Sequence, residues 1–234
     1  STFFFPGDKA AEMIEINTST DDWQQVTSVL RGIGFTVYII PIVMFAAAAV
    51  LFFITVSCEK NINNTVKQSA IDKKKIESFL AGHCLTPSGE IVDTASAPAG
   101  SDTLTKIAKY VDNTCYVVHI QEGAGIQPKE TEKVSIRFKG YHMEGFYKFD
   151  SDENEPEPYK LWLSGAIEGL KKGIARMKTA SVSEQENYLT PGEAWIIIPS
   201  TKAFGSTGKA DPFVPPNTCV IYRITLYSIV DLQN

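Results

Sequence analysis

Catalysis by side chains needs nucleophiles, bases or metal ligands at spacings that let them meet, so these residue types come first. His83, His119 and His142 lie far apart in unlike contexts, and His119 alternates within a strand-like run where a structural role suffices. No G-x-S-x-G, P-loop or H-E-x-x-H pattern occurs, which removes the nucleophile-elbow, phosphate-loop and zincin chemistries. Four cysteines form no C-x-x-C pair and no cluster with histidine, so no metal centre is expected. The acidic stretches 150–157 and 184–186 read as solvated loops, and no paired-carboxylate mechanism follows from them. What stands out instead is an ordered series of short aromatic and apolar motifs. Val134-Ser-Ile-Arg-Phe138-Lys-Gly140 precedes Phe149-Asp150-Ser151, and Ala166-Ile167-Glu168-Gly169-Leu170-Lys-Lys-Gly173 closes at Met177. Gly192-Glu-Ala-Trp195-Ile-Ile-Ile198-Pro199-Ser200 and Ala203-Phe204-Gly205 follow, then Val214-Pro215-Pro216-Asn217 running on through Tyr222 to Leu226.

Elements must position these residues. From about Cys115 the runs CYVVHIQ, KVSIRF, AWIIIP and TCVIYRITLYSIV are short and rich in β-branched and aromatic residues, with Gly/Pro turns between them. One helical stretch, Gly165 to Met177, sits among them. This predicts an α+β domain over 112–234, about 120 residues and large enough for its own core. Upstream, Val66, Ile71, Ile76, Phe79 and Leu80 give a loose helical pattern over 66–82, with Asp72-Lys73-Lys74-Lys75 read as its solvated face. Residues 85–105, rich in Ser, Thr, Ala, Pro and Gly, read as a linker or long loop.

In this order and spacing the five motifs closely resemble the FKBP-type peptidyl-prolyl cis-trans isomerases. The resemblance implies a five- to six-stranded antiparallel sheet curved around one short helix, with a ligand pocket between helix and sheet. Carried over motif by motif, Phe138, Phe149, Asp150, Ile167, Phe204 and Tyr222 are the catalytic set, with Asp150 the one acid at the wall. Tyr159, Ala166, Leu170, Phe213 and Val214 would complete the substrate contacts. The backbone N–H of Ile167 would donate to the carbonyl beyond the substrate proline.

Such a list makes physical sense. An X-Pro bond turns over a barrier of about 18–20 kcal/mol because amide resonance must be broken. The twisted amide is less polar than the planar one, so an apolar cavity favours it relative to water. A positioned donor holds the substrate backbone while the bond turns. The reaction implies no metal and no cofactor, and its partners are proline-containing polypeptides. Three departures bear on efficiency. Leu170 stands where many members carry a Trp at the pocket floor. Phe138 and Phe204 replace Tyr and lose a hydroxyl each. The stretch 178–191 is about a dozen residues longer than the usual turn and reads as a surface excursion.

The remaining features concern location. There are 27 Asp+Glu against 22 Lys+Arg, which argues against nucleic-acid binding. Residues 1–33 hold two basic and five acidic side chains, residues 34–57 hold no charge, and 58–234 hold the rest. Phe35 to Ser57 is 23 residues long, roughly 34 Å as a helix and enough to cross a hydrocarbon core of about 30 Å. It ends Thr55-Val56-Ser57-Cys58, which resembles the lipobox of bacterial lipoprotein signals, where cleavage precedes a cysteine that is then acylated. An uncleaved single span ending in Cys58 is the alternative. The organisation expected is an extension over 1–33 (residues 1–28 outside the mature protein), a span or signal over 34–57, a tether over 58–111, and the isomerase domain over 112–234.

With Cys58 lipidated, the arrangement looks like the Gram-negative lipoprotein members of the family, some tied to gliding motility. The domain would face the periplasm or cell exterior, with an envelope protein complex among its expected partners. There Cys84 and Cys115, which flank the linker, either pair as a disulfide or stay reduced, and Cys219 reads as a core residue. The rival function is a non-catalytic module that captures a proline-containing segment for an envelope machine.

Overall fold

The structure is a computed structural model that describes residues 64–181 and 190–230. The span, the lipobox and the extension expected over 1–58 lie outside the described residues, as does most of the excursion over 178–191. Among the described residues no helix is long and apolar enough to cross a membrane.

A helix over 64–82, α1, opens the described chain. Strands β1 (His83–Leu85), β2 (Ile91–Asp93) and β3 (Asp102–Thr103) follow, then the short α2 (Leu104–Ile107) and β4 (Lys109–Val111). The rest is β5 (Cys115–Gln121), β6 (Lys133–His142), β7 (Lys148–Ser151), β8 (Tyr159–Trp162), α3 (Glu168–Ile174), β9 (Gly192–Ile198) and β10 (Val220–Ile229). Two sheets result: a small one in the order β2-β1-β3, and a seven-stranded one in the order β4-β5-β9-β10-β6-β7, with β8 also on β6. All pairs are antiparallel. The large sheet exceeds the expected five or six strands because β6 is ten residues long and its outer edge is shared. Lys133–Ile136 pair with β8, and Lys139–Tyr141 pair with β7.

Alternation along the strands sends side chains to two cores. Val134 and Ile136 of β6, Ala194, Ile196 and Ile198 of β9, and Tyr222, Ile224 and Leu226 of β10 face α3. Val118, Trp195, Ile197 and Ile221 face the other way, onto Ile76, Phe79 and Leu80 of α1. This explains the unbroken apolar run of β9: a strand covered on both faces has no polar side to show. It also corrects the linker expected over 85–105. Those residues form the small sheet and α2, and the Gly89 carbonyl accepts a 2.9 Å hydrogen bond from Trp195 Nε1. Low hydrophobicity misled there because the segment contributes few but well-placed apolar residues, such as Leu104.

The central helix is shorter than Gly165–Met177. Leu163–Gly165 form a single 3-10 turn, Ala166 and Ile167 are extended, and α3 begins at Glu168. Gly169 and Gly173, four apart, lie on the face against β9, where an added Cβ would come within 2.3 Å of Ile198 Cγ2 and 2.6 Å of Ile196 Cγ2. Only residues without side chains let α3 approach the sheet this closely.

Candidate functional site

The α3-side face of the sheet brings the expected aromatic residues together. Phe138 sits on β6 and Tyr222 on β10, and the register pairs Tyr222 with Gly140 and Ile224 with Phe138. Ring centroids lie 6.4 Å apart for Phe138–Tyr222, 5.8 Å for Phe149–Tyr222 and 6.4 Å for Phe149–Phe204, the last two edge-on at 85°. Tyr159 on β8 closes the other side, 5.6 Å from Phe138. Gly140, noted in the sequence only as the end of a motif, makes this possible. A Cβ there would lie 2.9 Å from Tyr222 Cε1 and 3.0 Å from Phe149 Cζ.

Exposure rises from floor to rim. Val214, Tyr222 and Leu170 are buried, Phe138, Phe149, Ala166, Ile167 and Phe204 are half-buried, and Tyr159 and Phe213 are 50% and 65% exposed. An apolar surface graded in this way can cover one face of a ring while leaving a way in. The Phe213–Val214 corner is held by a β-bridge: the Lys209 N–H donates to the Val214 carbonyl and the Val214 N–H to the Lys209 carbonyl, both at 2.8 Å. The same Lys209 places its ammonium 5.6 Å over the Phe204 ring. His142 stacks on Phe149 from outside, centroids 5.1 Å apart, and its Nε2 is 3.1 Å from the Phe213 carbonyl.

Among the described residues the Ile167 N–H and the Tyr222 hydroxyl on this surface are without hydrogen-bond partners. The Ile167 N–H, just ahead of α3, donates to no group among the described residues, although the Ile167 carbonyl accepts from Lys171 N–H at 3.0 Å. The Tyr222 hydroxyl makes no hydrogen bond among the described residues either. Burial pushes its pKa up, with the Asp150 charge adding to the effect, so it stays a neutral donor. Asp150 itself pairs with Gly140 across β6–β7 and is half-buried.

Asp152, two residues on, corrects the solvated loop expected over 150–157: it is only 3% exposed. Its Oδ1 accepts the Phe138 N–H at 2.8 Å, and its Oδ2 is 3.4 Å from Arg137 Nη1. Arg137 also donates to the carbonyls of Asp152, Glu155 and Pro156 at 2.8–3.0 Å. Asp152 thus sets the backbone behind Phe138 and anchors the loop between β7 and β8. Beside it, Glu153 takes Lys139 and Lys148 at 2.6 and 2.5 Å, which hold its carboxyl down at about 2. No signal in the sequence separates the buried member of the acidic run from its exposed neighbours.

The cysteine pair does not form. Cys84 and Cys115 are both free and buried. Cys115 packs in the α3-side core, whereas Cys84 lies in the central strand of the small sheet with its thiol 3.7 Å from Thr94 Oγ1. Cys219 is buried as expected. Among the described residues no group of His, Cys, Asp and Glu is arranged to hold a metal ion.

This combination, an antiparallel sheet around a short helix with an aromatic surface at the helix start, is accompanied by a family match. Residues 124–227 match the family model of FKBP-type peptidyl-prolyl cis-trans isomerases. Over those residues the chain has the signature of an FKBP-type domain. Among curated proteins it is similar to the FKBP-type isomerase FkpA of Escherichia coli strain K12, 26% identical over 110 residues, or 47% of this chain and 36% of FkpA. It is similar to mouse isomerase FKBP7, 28% identical over 118 residues, 48% of this chain and 49% of that protein. It is also similar to a horse protein named as an inactive isomerase, FKBP6, 25% identical over 114 residues, 48% of this chain and 32% of that one. The chain thus spans less than half the length of these relatives. Among solved structures, the crystal structure of Escherichia coli FkpA superposes with a TM-score of 0.49 at 21% identity, covering 71% of this chain and 61% of that one.

Proposed function

We propose that this protein is a peptidyl-prolyl cis-trans isomerase that turns X-Pro bonds in exported envelope proteins. The observation that carries the reading is the ring cluster over Tyr222 with the unpartnered Ile167 N–H at its edge. The pyrrolidine ring would lie on Tyr222, Leu170 and Val214, walled by Phe138, Phe149 and Phe204. The Ile167 N–H would donate to the carbonyl after the proline and hold that side still. The preceding carbonyl then swings across the apolar surface, where loss of amide polarity in the twisted state is cheapest. An apolar residue such as Leu before the proline would rest on the exposed rim of Tyr159 and Phe213.

The anchor belongs to the same proposal. Cys58, after the uncharged run 35–57, would carry acyl chains and leave the described unit facing the periplasm or cell exterior. Mass spectrometry of membrane-extracted protein should show an acylated Cys58 at the N-terminus; an intact Ser1 would replace it with the uncleaved span.

A protease-coupled isomerisation assay on the full chain tests the activity. A rate equal to the uncatalysed one would overturn it. A second reading, capture of proline segments without turnover, is favoured by the small Leu170 on the floor and by similarity to a relative named as inactive. It predicts saturable shifts on titrating a proline peptide, with no rate enhancement.

A further inference from the structure

α1 presents an apolar stripe to the outer face of the large sheet, built from Ile76, Phe79 and Leu80. One turn earlier on the same stripe stands Asp72, a carboxylate with no exposed surface. A carboxylate on the buried side of a helix is costly unless its oxygens are filled, and these are. Oδ1 accepts from Gln68 Nε2 at 2.7 Å. Oδ2 accepts from Ser200 Oγ at 2.7 Å and from the Thr201 N–H at 3.3 Å. The Cys219 thiol adjoins them, pushed up to about 12 by burial and by the Asp72 charge.

Two of the partners of Asp72, Ser200 and Thr201, stand just ahead of the site. Ser200 begins the 3-10 turn Ser200–Lys202, which leads directly into Ala203-Phe204-Gly205. The Ser200 carbonyl accepts from the N–H groups of Ala203 at 3.0 Å and Gly205 at 2.8 Å, on either side of Phe204. The Gly205 carbonyl in turn accepts from Asn217 N–H at 2.8 Å. One hydrogen-bond chain, buried at Asp72 and Ser200, therefore runs from α1 to the peptide units flanking a wall of the pocket.

We propose that Asp72 is a positioning residue for the pocket: by fixing Ser200 and Thr201 it sets the Phe204 ring, and it makes the docking of α1 a condition for a formed site. The kinetic part of this inference rests on the isomerase reading above. A misplacement of a wall by about 1 Å is enough to lower a rate many-fold.

Three variants of the full chain test it: Asp72→Ala, Asp72→Asn and Ser200→Ala. Alanine at 72 removes the acceptor from both Ser200 and Thr201. Asparagine keeps one acceptor oxygen for them and turns its amide to Gln68, whose own amide can flip to accept. Below the melting temperature of every variant, kcat/KM of Asp72→Ala should fall about tenfold, Ser200→Ala should fall less, and Asp72→Asn should return to within about twofold of the parent. The amide resonances of Ala203 to Gly205 should move in the alanine variants and return in Asp72→Asn. Should Asp72→Ala not fold, Ser200→Ala and Asp72→Asn carry the comparison. A lowered melting temperature with unchanged kcat/KM and unchanged Ala203–Gly205 resonances would reduce Asp72 to a stabilising residue and overturn the proposal. If the parent chain does not isomerise, the isomerase reading fails by itself. The Ala203–Gly205 resonances then decide: movement in the alanine variants supports the positioning role, and no movement overturns it.

Discussion

The Phe149 and Tyr222 rings meet edge-on, their centroids 5.8 Å apart, above a Gly140 that has no side chain to part them. Gly140→Ala should therefore act on the pocket before it acts on the fold. Its Cβ would press on both rings, and overpacking of this kind costs about 1–3 kcal/mol. We expect a reduced kcat/KM and weaker proline-peptide binding with the far-ultraviolet circular dichroism unchanged. Tyr222→Phe, which removes only an unpartnered hydroxyl, should leave the melting temperature within a degree or two of the parent.

Asp150 and Asp152 should separate cleanly. The Asp150 carboxylate lies near Tyr222 and makes no hydrogen bond among the described residues, so Asp150→Ala should lower kcat/KM and barely change stability. Asp152→Ala orphans the Phe138 N–H and loosens Arg137. Its cost should be about 2–4 kcal/mol in urea unfolding. Equal melting temperatures for the two variants would contradict this division.

The buried thiols give a chemical test. Burial, opposed by a bond from Thr114, pushes the Cys115 thiol up to about 12, and burial with the Asp72 charge does the same for Cys219. Both should resist alkylation at pH 8 in the native protein and react on unfolding, as site-resolved mass spectrometry would report. The sign for stability follows. The unfolded thiols ionise near 9.0 and the folded ones near 12, so their contribution is complete below pH 9 and is lost as pH rises through that window.

His119 works in the opposite direction. Burial in β5 lowers its pKa below 6.5, against the pull of Glu122. Protonation then favours the unfolded chain, and stability should drop as pH falls below 6.5. His119→Asn should flatten the change in urea midpoint between pH 7 and pH 5; an unaltered slope would remove His119 from the account.

The ring cluster was legible where residue type and order carry it. Phe138, Phe149, Phe204 and Tyr222 stand in motifs whose strands must adjoin, and the structure sets their rings within 6.4 Å of a neighbour. Buried acids were not legible. Asp72 heads a run of three lysines and Asp152 lies in a run of acids, so both looked solvated. Only the packing of a distant element, Ser200 for one and the Phe138 backbone for the other, gives each a reason to be inside. The small sheet escaped notice for a related cause. Strands of two or three residues carry too little periodicity to read, and their place is set by Trp195 and by α1.

The cover over the outer face of the sheet has a practical side for anyone who would excise the segment that carries the ring cluster. A fragment begun near residue 112 would strip Ile76, Phe79 and Leu80 from Trp195, Ile197 and Ile221, and take the Gly89 carbonyl from the indole. A bare apolar sheet face of that kind is adhesive in water. Such a piece should clump on a sizing column, whereas one begun at residue 64 should elute as a single narrow species. The smallest expressible unit is thus larger than the family match over 124–227 would suggest.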